Sequence, residues 1–407
     1  MEYVPYVIVG GGLASVAAAD AIRRRDKTGR IVIIGAEPHP PYDRVPLSKG
    51  YLLGETERDQ VFLRPARFYE RNKVELRLGQ AVTALDLSAR QVTLADGEQL
   101  GYEKLLLATG GRPRRLPLPG ADLEGIYYLR NLEDADAIRS ALPGARRAVV
   151  IGGGFIGCEV ATGLAHLGLD TTVVELTSGV LSLVLDAETS GFMESFLRQQ
   201  GITVLTNTGA THFVGEQGRV RAVVTNTGTE LAADLVTVGV GIAPNTELAA
   251  AAGLTVENGV VVNEYLEAAP GVYAAGDMAR YYSPFFGRHV RVEHYDVALQ
   301  HGRVAAANMT GERRMYEALP YFFSHMGGLH IDVVGDMGRR EHSVRRGPLG
   351  VEPGFAQGYF ADGMLQAVLF INGAPELLEA ARERILARRP VVDPQAFADE
   401  TRELAAL

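Results

Sequence analysis

An α/β fold is predicted: two copies of one strand–turn–helix–strand unit, with a further α/β segment toward the C-terminal end. Three observations predict it. The stretches "YVIVGGGLASVAAADAIRRR…GRIVIIGAE" and "RAVVIGGGFIGCEVATGLAHLGLDTTVVEL" share one pattern. Each reads as a β-branched strand, a glycine turn, an alanine-rich helix, a second apolar strand and an acid at its end. The 407 residues exceed what one hydrophobic core usually supports, so two or three domains are expected. Finally, 47 glycines in a chain that is 47% apolar point to tight turns and close approach of backbone to ligand rather than to disorder.

The first copy carries Gly10 and Gly12, with Ser15 at the third glycine position and Glu37 as its acid. In the second, Gly152, Gly154 and Gly157 complete GxGxxG, and Glu175 ends the next strand. The first glycine allows the tight turn, the second lets backbone approach a pyrophosphate, and the third lets helix pack on strand. The helix N-terminus then offers free N–H groups and a positive dipole end to the phosphates. This is the Rossmann-like dinucleotide-binding design, and two copies imply two dinucleotides. Serine is small enough for the helix contact, so the first copy keeps the assignment with a slightly looser fit.

Between the copies, "GAEPHPPYDRVPLSKGYLLGE" sets Tyr42, Arg44, Ser48 and Lys49 in a proline-stiffened loop. By itself it reads equally as a solvated surface loop or as part of a site. "LLLATGGRPRRLP" runs a strand into a turn at Thr109 and Gly110, suited to a crossover between domains, and "VTVGVGIAPNTELA" repeats that pattern at Gly239, Gly241 and Pro244. "GVYAAGDMA" places Asp277 after Gly276 at an expected strand-to-helix junction. There a carboxylate can accept bonds from ribityl hydroxyls, although an ordinary helix N-cap would use Asp as well.

The net charge of -9 and pI near 5.6 argue against nucleic acid or an anionic membrane as partner. A single cysteine excludes an intramolecular disulfide, a CxxC redox pair and a cysteine-ligated cluster within the chain. Cys158 beside Glu159 reads as a small apolar filler. The apolar start lacks a positive n-region and is cut by three glycines, and no uninterrupted apolar run reaches the length of a membrane span, so a soluble, cytoplasmic protein is expected. His289 and His294, and His325 and His330, lack ligand spacing with acids, so no metal site is expected.

With those motifs in order, the chain resembles the flavoprotein reductases of the oxygenase-coupled type, the rubredoxin, putidaredoxin and aromatic-dioxygenase ferredoxin reductases. Apoptosis-inducing factor and monodehydroascorbate reductase are their cousins. The likeness runs end to end through "PPYDRVPLSKGYL", "YLRNLEDADAIR", "GVGIAPNTELA", "VYAAGDMA", "VEHYDVALQHGRVAAANM" and "PYFFSHMGGLHIDVVGD". It implies a glutathione-reductase-like architecture, with FAD bound by 1–113 and 245–318, NADH by 114–244, and a C-terminal interface domain at 319–407. It implies FAD contacts from Arg44, Arg130, Thr109, Gly110, Gly241, Gly276, Asp277, Glu293, His294, Tyr295 and Phe323. It also implies that Lys49 lies near flavin N5, paired with Glu159 on the first turn of the second-copy helix, where a carboxylate keeps a buried lysine ionised. The implied reaction is electron transfer from NADH through FAD to a small iron–sulfur protein. A homodimer is an admissible assembly.

The chain has no tryptophan. Tyr295 stands where relatives often have Trp, Val297 replaces their asparagine, and "FFSHM" (Phe322–Met326) replaces their "FWSDQ". An aromatic surface survives, but the acceptor is left open between an iron–sulfur protein, a small acceptor such as a quinone or monodehydroascorbate, and redox-controlled association. The acid at Glu175, followed by Leu176, Thr177, Ser178 and Gly179 without a cation, implies NADH rather than NADPH.

Overall fold

The computed structural model describes residues 2–406. Their contacts divide into two compact units. One takes the chain up to Asp43, then Arg58–Arg112 and Ile242–Pro320; the other takes Arg44–Glu57, Pro113–Gly241 and the described residues from Tyr321 on. Each unit contains one copy of the duplicated pattern.

In the first unit the strands Val272–Ala274, Gln99–Leu107, Glu2–Val9, Ile31–Gly35 and Val74–Leu78 lie side by side and parallel. Ile31–Ile34 and Leu105–Leu107 are buried throughout. A parallel sheet is covered on both faces, so its strands are continuous apolar runs instead of alternating ones. The helix Leu13–Arg25 follows the first glycine turn and packs against the helix Tyr295–Met309. Small residues make that contact close: a Cβ on Gly302 would run into the Ala14 carbonyl oxygen and lie 2.9 Å from the Ala17 Cβ.

One local expectation fails here. Asp277 does not open an α-helix. Gly276–Met278 is a single 3-10 turn, and the chain continues as the strand Ala279–Ser283, which pairs on both sides with Val260–Val262 and Arg288–Val290. The tyrosine pair Tyr281–Tyr282 beyond the turn suits a strand, the ladder bonds form there, and the next α-helix starts only at Tyr295.

In the second unit Thr203–Leu205, Asp170–Val174, Arg147–Ile151, Leu235–Val238 and Ile126–Tyr128 form the parallel sheet. The helix Phe155–His166 follows the second glycine turn. "NLEDADAIR" becomes the helix Leu132–Ala141, started by a reciprocal capping box between Asn131 and Asp134. The C-terminal segment is an antiparallel sheet in the order Tyr321–Met326, Leu329–Gly335, Met364–Ile371, Phe355–Ala361, His342–Arg346, with the helix Pro375–Leu386 against it. Its Met326, Leu329 and Ile331 share one apolar core with Cys158, Ala161 and Leu164 of the glycine-turn helix and with Leu52 of the proline-stiffened loop. Among the described residues no helix is long and apolar enough to cross a membrane.

The helix contact at Gly302 decides between two opposed effects. Glycine to alanine inside a helix gains about 1 kcal/mol of propensity, but here the methyl meets a backbone oxygen of the neighbouring helix, and overpacking costs about 1–3 kcal/mol. Backbone cannot rotate away, so the clash wins. Gly302→Ala should lower the thermal midpoint in a melting experiment; an unchanged or raised midpoint would show that the two helices separate freely.

Candidate functional site

The glycine turns are built alike in the two units. Gly10 (φ 123) and Gly152 (φ 104) hold backbone angles that L side chains rarely adopt. A Cβ at either would strike a carbonyl oxygen of the adjoining chain, Ala108 or Gly239. Gly12 and Gly154 are the N-caps of the two helices. Neither makes a side-chain cap bond, the first turns hold no acid, and a Cβ on either would meet nothing within 4 Å. The helix N–H groups are therefore free and approachable, which suits a diphosphate. Gly157 packs so closely on Gly152 that a Cβ there would collide with the Gly152 carbonyl. Ser15 takes the corresponding place in the first unit; it is fully buried, and its hydroxyl has no hydrogen-bond partner among the described residues. The turn at Gly276 packs toward Ala14 at the start of the same helix, which brings Asp277 to the end a dinucleotide would occupy. The residues present fit a dinucleotide in each unit.

The acids of the two copies are held differently. Glu175 follows its strand directly. One of its oxygens accepts the Gly153 N–H (2.6 Å), and the other accepts the Thr177 N–H (2.7 Å) and hydroxyl (2.6 Å). Its carboxylate is thereby fixed against the glycine turn. Glu37 accepts a short bond from the buried Tyr42 hydroxyl, so the PPY motif anchors the first acid.

The second unit brings Lys49 and Glu159 together. The Lys49 ammonium is 2.8 Å from a Glu159 oxygen, with the carboxylate side chain 2% and the lysine side chain 19% exposed. Glu159 opens the second turn of its helix, which begins at Phe155, rather than lying on the expected first turn. Two serines join the pair. Ser48 donates to the oxygen shared with Lys49 (2.5 Å) and Ser324 to the other oxygen (2.5 Å), both from buried positions. In the sequence Ser48 stands only as a loop residue and Ser324 only as part of "FFSHM". The available signal was a serine between aromatics on a strand whose alternate positions are apolar.

The remaining candidates fall into place by unit. Thr109 donates to the Asn245 carbonyl (2.7 Å), and Asn245 returns a bond to the Thr109 carbonyl (2.9 Å) and one from its N–H to the Gly110 carbonyl (2.9 Å). That ties the outgoing crossover to the returning one. Glu293 pairs with Arg291 (2.6 Å), which also donates to the Asp277 carbonyl (3.1 Å). Burial holds the His294 imidazole down at about 4, against the opposing pull of Asp277, and burial raises the Tyr295 phenol. In the second unit Arg44 donates to the Arg130 carbonyl (2.7 Å), and Gly241 turns with positive φ where its carbonyl accepts the Arg114 N–H (2.9 Å). Phe323 stacks on Tyr321 at 6.1 Å, whereas it is Phe322 that meets Phe155, at 4.6 Å. His325 and His330, five apart in sequence, are cross-strand partners with rings 4.1 Å apart, and His330 reaches Asp332 at 3.2 Å.

Two dinucleotide folds, one with a buried lysine–carboxylate pair beside its glycine turn, define a pyridine-nucleotide-dependent flavoprotein oxidoreductase. The chain belongs to the pyridine nucleotide-disulphide oxidoreductase family, whose model matches residues 4–302, and the reductase C-terminal model matches 321–407. It is similar to rhodocoxin reductase of Rhodococcus erythropolis, at 37% identity over 96% of this chain and 91% of the relative. Among solved structures it resembles a ferredoxin reductase of Rhodopseudomonas palustris (TM-score 0.94, 34% identity, 100% and 99% of the two chains). It also resembles the reductase in a covalent putidaredoxin reductase–putidaredoxin complex (TM-score 0.94, 37% identity, 99% and 97%). The family's cofactors are FAD and NAD(H).

The family name includes disulphide chemistry, but with one cysteine this chain can form no disulfide within itself. Cys158 is fully buried, its sulfur faces the Gly153 carbonyl (3.5 Å), and burial, helped by Glu159, pushes the thiol up to about 12. A thiolate is the reactive form. The folded protein should therefore resist a thiol reagent such as dithionitrobenzoate at pH 8 and release one equivalent only after unfolding. Rapid reaction of the native protein would contradict the assigned packing role.

Proposed function

We propose that this chain passes electrons from NADH through FAD to a small iron–sulfur protein of ferredoxin or rubredoxin type, in the cytoplasm and in support of an oxygenase. The observation that carries the reading is the buried Lys49–Glu159 pair set one helical turn from a dinucleotide-binding glycine turn. We assign FAD to residues 1–113 and 245–318, NADH to 114–244, and partner contact to 319–407. Support for the acceptor comes from relatives named rhodocoxin reductase, putidaredoxin reductase and rubredoxin-NAD(+) reductase.

Bound FAD would supply the hydride acceptor and one-electron chemistry. The chain's own residues do the rest. The helix N-termini at Gly12 and Gly154 would hold the diphosphates. Glu37 and Glu175, fixed by Tyr42 and by Gly153 with Thr177, present carboxylates to adenosine riboses. Asp277 would accept bonds from ribityl hydroxyls. Lys49 has Glu159 as its one partner among the described residues, which leaves two ammonium N–H groups for a ligand.

The test is anaerobic reduction of the yellow protein by NADH, followed by mixing with ferredoxins, rubredoxin, a quinone and monodehydroascorbate while flavin reoxidation is recorded. Fast transfer to the iron–sulfur proteins is expected; fast transfer confined to the small acceptors would overturn the assigned partner. Heat should release FAD, and release of FMN would refute the first-unit assignment. Lys49→Ala should slow flavin reduction about tenfold or more while changing NADH affinity little.

NADH should exceed NADPH in kcat/KM. A 2′-phosphate would meet the Glu175 carboxylate with no cation nearby in sequence, a loss of roughly 2–3 kcal/mol, or about thirty- to a hundredfold at tenfold per ~1.4 kcal/mol. Steady-state dye reduction with each cofactor measures it, and equal efficiencies would remove Glu175 from this role.

A further inference from the structure

We infer that Ser324, from the C-terminal sheet, is a positioning residue for the Lys49–Glu159 pair, fixing the carboxylate so that Lys49 is held at one of its two oxygens. The inference deepens the proposed function and rests on it.

The geometry begins with a match of repeats. Along a strand, alternate side chains on one face are about 6.6–6.8 Å apart; along a helix, residues four apart are about 6 Å apart. The strand Tyr321–Met326 lies against the helix Phe155–His166. Phe322 meets Phe155 and Ser324 meets Glu159, while Gly327, just past the strand, comes within reach of Thr162. Phe322 and Met326, on the same strand face as Ser324, are apolar, and Met326 belongs to the shared core. An alanine or valine would continue that face. Instead a fully buried serine sits there, and a buried hydroxyl without a partner is costly. Its partner is Glu159.

The effect on the pair follows from counting lone pairs. A carboxylate buried this deeply needs several donors. Ser324 takes one oxygen, and Ser48 and Lys49 share the other. With the ring of donors complete, the carboxylate plane cannot rotate, and the ammonium that follows it cannot wander. Three separate chain segments contribute, the loop, the glycine-turn helix and the C-terminal sheet, all within the second unit. Without Ser324 the carboxylate can swing its free oxygen toward Lys49 and draw the ammonium away from the ligand it would face.

A double-mutant cycle on the FAD-loaded protein tests this, read by stopped-flow reduction with NADH. Ser324→Ala should lower the limiting rate of flavin reduction about fivefold or more, with the Kd for NADH changed less than about twofold. In a Lys49→Ala background the same substitution should change the rate less than about twofold, since the group it positions is gone. Ser324→Cys keeps nearly the same shape with a weak donor and should behave like alanine, whereas Ser324→Thr should restore most of the rate; these two variants also decide the matter if the alanine protein folds poorly. An unchanged limiting rate in Ser324→Ala, full activity in Ser324→Cys, or equal losses with and without Lys49 would each overturn the positioning role. Wild-type protein that NADH fails to reduce would instead overturn the proposed function, so the two failures are distinguishable.

Discussion

The tight turn from strand to helix is the constraint on which both halves of the molecule depend. At Gly10 and Gly152 the backbone must adopt a left-handed-side φ while lying against a carbonyl of the adjoining chain, Ala108 or Gly239. No side chain fits in that space. Because the turn is so short, each helix begins directly beyond its strand with unpaired N–H groups aimed outward, and the open cradles at Gly12 and Gly154 leave them accessible. Replace either first glycine and the helix start and the cradle would move together; in the second unit Glu175, bonded to the Gly153 N–H, would move with them.

A second constraint is electrostatic and is confined to one unit. Placing Glu159 inside the protein is tolerable only when its charge is matched and its oxygens are bonded, since an unpaired buried carboxylate costs several kcal/mol. The sequence answers with a lysine and two serines drawn from distant stretches. Such a ring is costly to assemble in an unfolded chain and stable once its segments share a core, as Leu52, Cys158 and Met326 do. The apolar core and the polar ring thus support one another: the first excludes water, and the second satisfies the charge that exclusion would otherwise strand.

The two copies of the dinucleotide design also show how one pattern is adapted. Glu175 is fixed by its own glycine turn and by the threonine two residues on. Glu37 is fixed by a tyrosine from the proline-stiffened loop. The third glycine position is glycine in one unit, where a Cβ would collide with the Gly152 carbonyl, and a buried serine in the other. The same chemistry is reached through different neighbours.

Local signals of short range were legible in the residues themselves. Strand periodicity, the glycine turns, the acids at strand ends and the crossover motifs are each set within some thirty residues or fewer, where steric limits on backbone angles and the apolar pattern leave little choice. The candidate pair Lys49–Glu159 came through family likeness, and its contact is there. Three things were decided only by the tertiary structure. Asp277 sits in a 3-10 turn because the following residues find strand partners at Val260–Val262 and Arg288–Val290, which no local pattern names. Glu159 falls on the second turn because its helix starts at Phe155, a boundary set by packing on the sheet. Ser324 reaches Glu159 across 165 positions of sequence because the repeat of a strand face nearly equals one turn of a helix, and that match exists only when the two are packed together.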